Sequence, residues 1–150
     1  FNSQLQEIIM KIYLSKTQPT RDGFMWVNNI HSLDSAVNDS EATSIIVDNF
    51  FSSFSFKDLG SVLGTIFAKM RIGCSIVFYQ LDIDILSHQY ARMSMDIGSY
   101  NELLFREGAI SSTFNTESLC DLLLQSGLTI ETKEINYDTF QCMVTARRDN

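Results

Sequence analysis

Apolar and polar positions follow two different rhythms along this chain. Short apolar runs come first: residues 10–15 (MKIYLS), residues 24–28 (FMWVN, directly after Gly23) and residues 44–48 (SIIVD). Their β-branched and aromatic content predicts strands. The rhythm then changes to a helical period. Leu59, Val62, Leu63, Ile66, Phe67 and Met70 recur at i, i+3, i+4, i+7, i+8 and i+11, one face of an amphipathic helix. Ser55, with Asp58 three residues on, predicts its start. Gly73, with Lys69 and Arg71 in the last turn, predicts its end. Residues 74–82 (CSIVFYQLD) follow as an apolar strand of the kind covered on both faces.

The remaining stretches are less regular. Residues 2–7 form a polar lead-in, and residues 15–22, with Pro19 and two threonines, a loop. Residues 30–42 are polar and carry at most one helical turn, around residues 35–37. Residues 48–55 are aromatic and serine-rich, with no assignable state. Residues 83–107 are helix-prone, with Gly98 separating two helices, and residues 112–114 form a short extended piece. Thr116 and Glu117 open a further helix whose apolar face is Leu119, Cys120, Leu122 and Leu123, closed by Ser126 and Gly127. Residues 128–135 and 140–146 alternate apolar and polar positions about a turn at Tyr137-Asp138, which predicts a terminal antiparallel hairpin. The order β-β-α-β-α-β-α-α-α-β-β predicts an α/β protein: a Rossmann-like three-layer sandwich whose mostly parallel sheet ends in an antiparallel hairpin. At 150 residues, it is read as a single domain spanning residues 1–150.

Composition narrows the partners. The net charge of −7 disfavours a nucleic-acid groove and an anionic membrane surface. Arg147-Arg148 is the only basic pair. No apolar run approaches the length of a membrane span. The three cysteines, Cys74, Cys120 and Cys142, form no CxxC pair, so they are expected to be buried free thiols in a reducing, cytoplasmic compartment. His31 and His88 lack a partner at ligand spacing, so no metal site is expected. Phe50, Phe51, Phe54 and Phe56 crowd one stretch. If not all are buried, residues 50–56 are a candidate contact surface for a protein partner or a second copy.

In parallel sheets of this order the ligand sits at the carboxyl ends of the first strands, held by a glycine-rich turn and an acidic residue. Here the turn is SKTQPTRD, and the second strand ends in Asn28. With those residues in view, the chain resembles class I S-adenosylmethionine (SAM)-dependent methyltransferases, of a small subgroup whose start reads roughly MKLNIGCG…GYINVD. The first strand and GFMWVN (residues 23–28) resemble that start. IIVD (residues 45–48) resembles the family's middle strand, KMRIGCSIV (residues 69–77) its KLRPGG element, and residues 119–130 with 142–147 its closing helix and hairpin. The resemblance implies SAM as cofactor and methyl transfer to an unknown small-molecule or protein acceptor. Its cofactor positions fall on Ser15, Thr17, Asn28, Asp48 and Asn49.

At these positions the chain departs from the pattern. Ser15, Lys16 and Thr17 put Cβ atoms where the family has glycines that admit the cofactor. Asn28 lacks the charge and second acceptor that hold two ribose hydroxyls. Cys74 replaces a further glycine. Methyl transfer works by alignment, so no catalytic residue is assigned. The alternative reading is a catalytically inactive methyltransferase-fold module that serves binding or assembly. Asp82 and Asp84 are expected to be loop charges and not cation ligands, and Trp26 to be a core residue.

Overall fold

The structure, a computed structural model, describes residues 9–106 and 108–150. Six strands form one sheet: β1 (Lys11–Leu14), β2 (Met25–Val27), β3 (Ala42–Asp48), β4 (Met70–Leu81), β5 (Thr129–Asn136) and β6 (Gln141–Arg147). The spatial order is β2-β1-β3-β4-β6-β5. β2, β1, β3 and β4 pair in parallel, while β6 runs antiparallel to both β4 and β5. The described residues also form five α-helices: α1 (Ile30–Ala36), α2 (Leu59–Lys69), α3 (Ile83–Ala91), α4 (Ile97–Leu104) and α5 (Thr116–Gln125). The element order is the one the apolar pattern predicts, and the fold is Rossmann-like α/β. The polar lead-in expected at residues 2–7 lies outside the described residues.

Burial alternates along the strands. On one side of the sheet, Ile12, Leu14, Ile45, Val47, Ile76, Phe78, Val144 and Ala146 meet Leu33 of α1, Leu59, Leu63 and Ile66 of α2, and Leu119 and Leu123 of α5 in a single core. Tyr13, Val77, Tyr79 and Met143 point to the other side and are half-buried. β4 therefore alternates in burial, although its sequence is a continuous apolar run. Buried Lys69 ties two helices together: its ammonium lies 3.0 Å from a carboxylate oxygen of Asp34 and 3.0 Å from one of Asp39.

Several local expectations shift. α1 is longer than the single turn expected, because the Asn29 side chain accepts from Ser32 N (2.8 Å) and caps it, and Leu33 and Val37 are buried. Ser55 starts a 3-10 turn over Phe56–Asp58 and does not cap α2; its Oγ donates to Asp58 Oδ2 (2.7 Å). α2 ends at Lys69, four residues before Gly73, because Met70 already pairs with Ala42 in the sheet. Gly73, at φ +86°, instead lets β4 bulge away from β3 before Ser75 rejoins Ser44. There its N–H donates to Arg148 O (2.7 Å). Arg148 closes this corner. Its guanidinium stacks on Phe67 (4.5 Å) and donates to the carbonyls of Phe67 and Met70 at the end of α2. Gly98 lies inside α4. The break falls earlier, where Met93 has φ +60° and Asp96 caps α4 through Ser99 N (2.7 Å).

The serine-rich aromatic stretch, residues 48–55, is largely internal. Phe50 and Phe51 are buried, and Phe54 packs against the core. Phe51 lies 5.4 Å from Phe78 and 6.1 Å from Phe114. Only Phe56, 56% exposed, remains of the contact surface expected at residues 50–56, and its ring sits 5.9 Å from Phe114.

Candidate functional site

The sheet's carboxyl edge is where an open α/β fold binds ligands. At its left end β1 runs into Ser15, which is buried. The Ser15 N–H donates to Val27 O (3.3 Å), and its Oγ donates to Thr17 O (2.6 Å). The Ser15 carbonyl accepts from the Trp26 indole (3.0 Å). Two of these bonds hold the turn to β2 and the third closes it on itself, with Lys16 and Thr17 facing solvent. Trp26 is half-buried and anchors the loop by its polar edge.

Asp48, at the end of β3, accepts from the Tyr13 hydroxyl (2.7 Å). Burial, followed by that bond and the Asp48 charge, pushes the Tyr13 phenol well above its ordinary range, with Arg21 pulling weakly the other way. Phe24 meets the Tyr13 ring edge-on at 6.2 Å, and its own ring is flanked by Lys11 (5.7 Å) and Arg21 (5.6 Å). Asn28 is exposed, and its Oδ1 accepts from Asn29 Nδ2 (3.0 Å).

Asn49 faces the other way. At φ +48° it turns the chain off β3, and its N–H donates to Tyr79 O (2.6 Å). Its Oδ1 accepts from Gln80 Nε2 (2.9 Å) and Leu81 N (3.3 Å). Buried Gln80 also donates to Ser52 Oγ (2.7 Å). The five expected cofactor positions therefore do not converge. Ser15 and Asp48 are joined to β1 and β2 by internal bonds, Asn49 is drawn to β4, and Thr17 and Asn28 point outward. Sequence reasoning missed Tyr13, Trp26 and Gln80, the partners that occupy these groups. A tyrosine in a short parallel strand signals nothing locally.

Asp82 overturns its reading as a solvated loop charge. It is buried. Its Oδ1 accepts from Asp84 N (2.9 Å) and Ile85 N (3.2 Å), capping α3, and its Oδ2 accepts from Thr116 N (3.0 Å) and Thr116 Oγ1 (2.7 Å) at the start of α5. Asp84 accepts from Asn115 Nδ2 (2.9 Å). Among the described residues no group of three or more His, Cys, Asp or Glu side chains is placed to hold a metal ion. The three cysteines are buried and free. Burial pushes the Cys74 and Cys142 thiols up to about 11, so neither is a thiolate at neutral pH.

No family model matches the sequence, and no curated protein matches it. Solved structures do match. A SAM-dependent methyltransferase from Methanosarcina mazei superposes with a TM-score of 0.57 and 16% identity over 83% of this chain and 66% of that one. An O-methyltransferase family protein from Burkholderia thailandensis gives 0.55 and 10% over 85% of this chain and 36% of that one. A magnesium protoporphyrin IX methyltransferase from Synechocystis, with bound SAH, gives 0.54 and 9% over 83% and 50%. The chain has the class I methyltransferase fold. It spans between about a third and two thirds of the length of these structures. At these identities the likeness establishes the fold alone.

The methyltransferase fold brings a fit test for SAM. The group that would receive the methionine end is a turn with Cβ atoms at three successive positions, closed by the bonds of Ser15. The Asp48 carboxylate at the end of β3 already accepts from Tyr13. Five cavities lie elsewhere among the described residues, and none of these is lined by Ser15, Thr17, Asn28 or Asp48. These residues do not fit the cofactor as the fold family holds it. Among the described residues neither histidine ring hydrogen-bonds a serine or cysteine side chain; Ser35 Oγ donates to the His31 backbone carbonyl (3.2 Å).

Proposed function

We propose that this chain is a non-catalytic methyltransferase-fold module that works by binding, and that it does not use SAM. The observation that carries the reading is the fate of Ser15. Its N–H, Oγ and carbonyl are all bonded within the protein, in the turn where the fold family leaves backbone groups open to the cofactor. Asp48 adds to it, because one of its two oxygens already accepts from the half-buried Tyr13 hydroxyl. The buried free thiols support a reducing, cytoplasmic setting. No helix among the described residues is long and apolar enough to cross a membrane.

Calorimetric titration of the chain with SAM and with S-adenosylhomocysteine tests this. The expected result is no binding at about 1 mM ligand, a free energy weaker than about −4 kcal/mol. Micromolar binding would overturn the reading. It would favour a methyltransferase with a rebuilt loop, and the acceptor, a small molecule or a protein, would become the next question.

A further inference from the structure

The carboxyl edge has a second end, beside β4 and the β5–β6 turn, which the fold family's cofactor pattern does not use. Two cavities adjoin there. One, of about 180 Å³, is lined by Tyr79, Glu134, Thr139 and Gln141 among others. The other, of about 30 Å³, shares Thr139 and Gln141 and continues to Asn49 and Arg106. Ile135 and Met143 supply apolar wall in the first, and Leu81 and Leu103 in the second.

What distinguishes this groove is its hydrogen-bonding inventory. Asn49 is committed to Gln80 and Leu81. The side chains of Tyr79, Glu134, Gln141 and Arg106 take no hydrogen bond or ion pair from any described residue. Together they offer a five-donor guanidinium at one end, a carboxylate at the other, and a phenol and an amide between. Small-molecule sites combine apolar walls with a few polar groups; here Tyr79 and Gln141 are half-buried in the groove, and Arg106 and Glu134 are exposed at its rim. One cation and one anion in the same groove reject a ligand of single sign, since either charge would then face a like charge or stay unpaired. A net charge of −7 further disfavours a plain anion.

We propose that this groove binds a small zwitterion, an amino-acid-sized molecule whose carboxylate lies on Arg106 and whose amine lies on Glu134. Tyr79 and Gln141 add hydrogen bonds to its charged ends. The site is independent of the proposed loss of SAM binding, because it shares no residue with the turn at Ser15.

The test is an amide chemical-shift titration of the full chain with L-alanine and L-serine, and with ethylamine and propionate as the two halves of such a ligand. Saturable shifts at Leu81, Thr139 and Gln141 are expected with the amino acids, and binding at least about tenfold weaker with each half. Arg106→Gln and Glu134→Gln should each weaken amino-acid binding at least about tenfold without moving peaks of the core. Tyr79→Phe, a milder change, should weaken it less. No saturable shift up to about 20 mM overturns the proposal, as does equal binding of the halves or indifference to both charge-removing substitutions. SAM serves as a separate titrant. Shifts at Ser15 and Val27 with SAM would overturn the SAM-free reading and leave this site standing.

Discussion

At the ends of β1, β2 and β3, polar side chains are taken up by bonds within the protein; around the end of β4 and the β5–β6 turn, four of them are not. Tyr13 holds Asp48, Trp26 holds the Ser15 carbonyl, and Ser15 holds Thr17. Across the sheet, Tyr79, Glu134, Gln141 and Arg106 face two adjoining cavities without an internal partner among the described residues. The difference is one of energy as well as geometry. A polar group bonded inside the protein contributes to stability and is lost to ligands; an unpaired one contributes little to stability and is open to them. The first region has the location of a methyltransferase cofactor site, and the second has the chemistry of a binding site.

That comparison can be broken by substitution, and the largest effect is expected at the residue between the two regions. Asp82→Ala removes four hydrogen bonds from one buried carboxylate and uncaps α3 and the start of α5 together. It should cost about 3 kcal/mol in urea denaturation. A loss below about 1 kcal/mol would mean that water replaces the carboxylate and that the boundary is softer than the bonds imply.

Tyr13→Phe comes next, at about 1–2 kcal/mol, because a bond to an ionised group is lost while Asp48 regains water. It also carries a pH signature. Folding raises the phenol above its ordinary value of about 10. The unfolded chain therefore loses this proton at a lower pH than the native state does. The contribution is fully present below about pH 10 and declines as the pH rises above it. The stability gap between wild type and Tyr13→Phe should narrow across that alkaline range; a gap that stays constant would show that the bond does not couple to titration. Ser15→Ala is smaller again, at about 0.5–1 kcal/mol, since the Thr17 carbonyl it frees lies in an exposed turn.

The smallest effects on stability belong to the other region. Arg106→Gln and Glu134→Gln should leave the urea midpoint where it is, within the scatter of surface substitutions. A clear loss of stability in either would show that these groups are structural and would erase the contrast. The pair Tyr13→Phe and Glu134→Gln is therefore the sharpest comparison: similar polar deletions, one read out in stability and the other in ligand binding.

Much of the fold was legible along the chain. The β-branched runs of β1 and β3, the helical period of α2, and the alternation of β5 and β6 are local signals, and they gave the element order. The departures at Ser15, Thr17 and Asn28 were equally plain, because a missing glycine or acid needs no structure to be seen. Local boundaries were harder. Gly73 has the chemistry of a helix stop, but pairing of Met70 with Ala42 ends α2 earlier and turns the glycine into a bulge. Gly98 has the chemistry of a break, but the Asp96 cap places it inside α4.

The sequence by itself determined the order of elements, the parallel sheet and the erosion of the cofactor turn, since each rests on neighbouring residues and their periodicity. The tertiary structure decided which polar atoms are occupied. Tyr13 and Asp48 are 35 positions apart, Thr116 and Asp82 34, and Gln80 and Asn49 31. Tyr13–Asp48 and Gln80–Asn49 meet because parallel strands bring distant carboxyl ends side by side, and Thr116 meets Asp82 because α5 starts beside the end of β4; no local pattern records which polar group will find which once they meet.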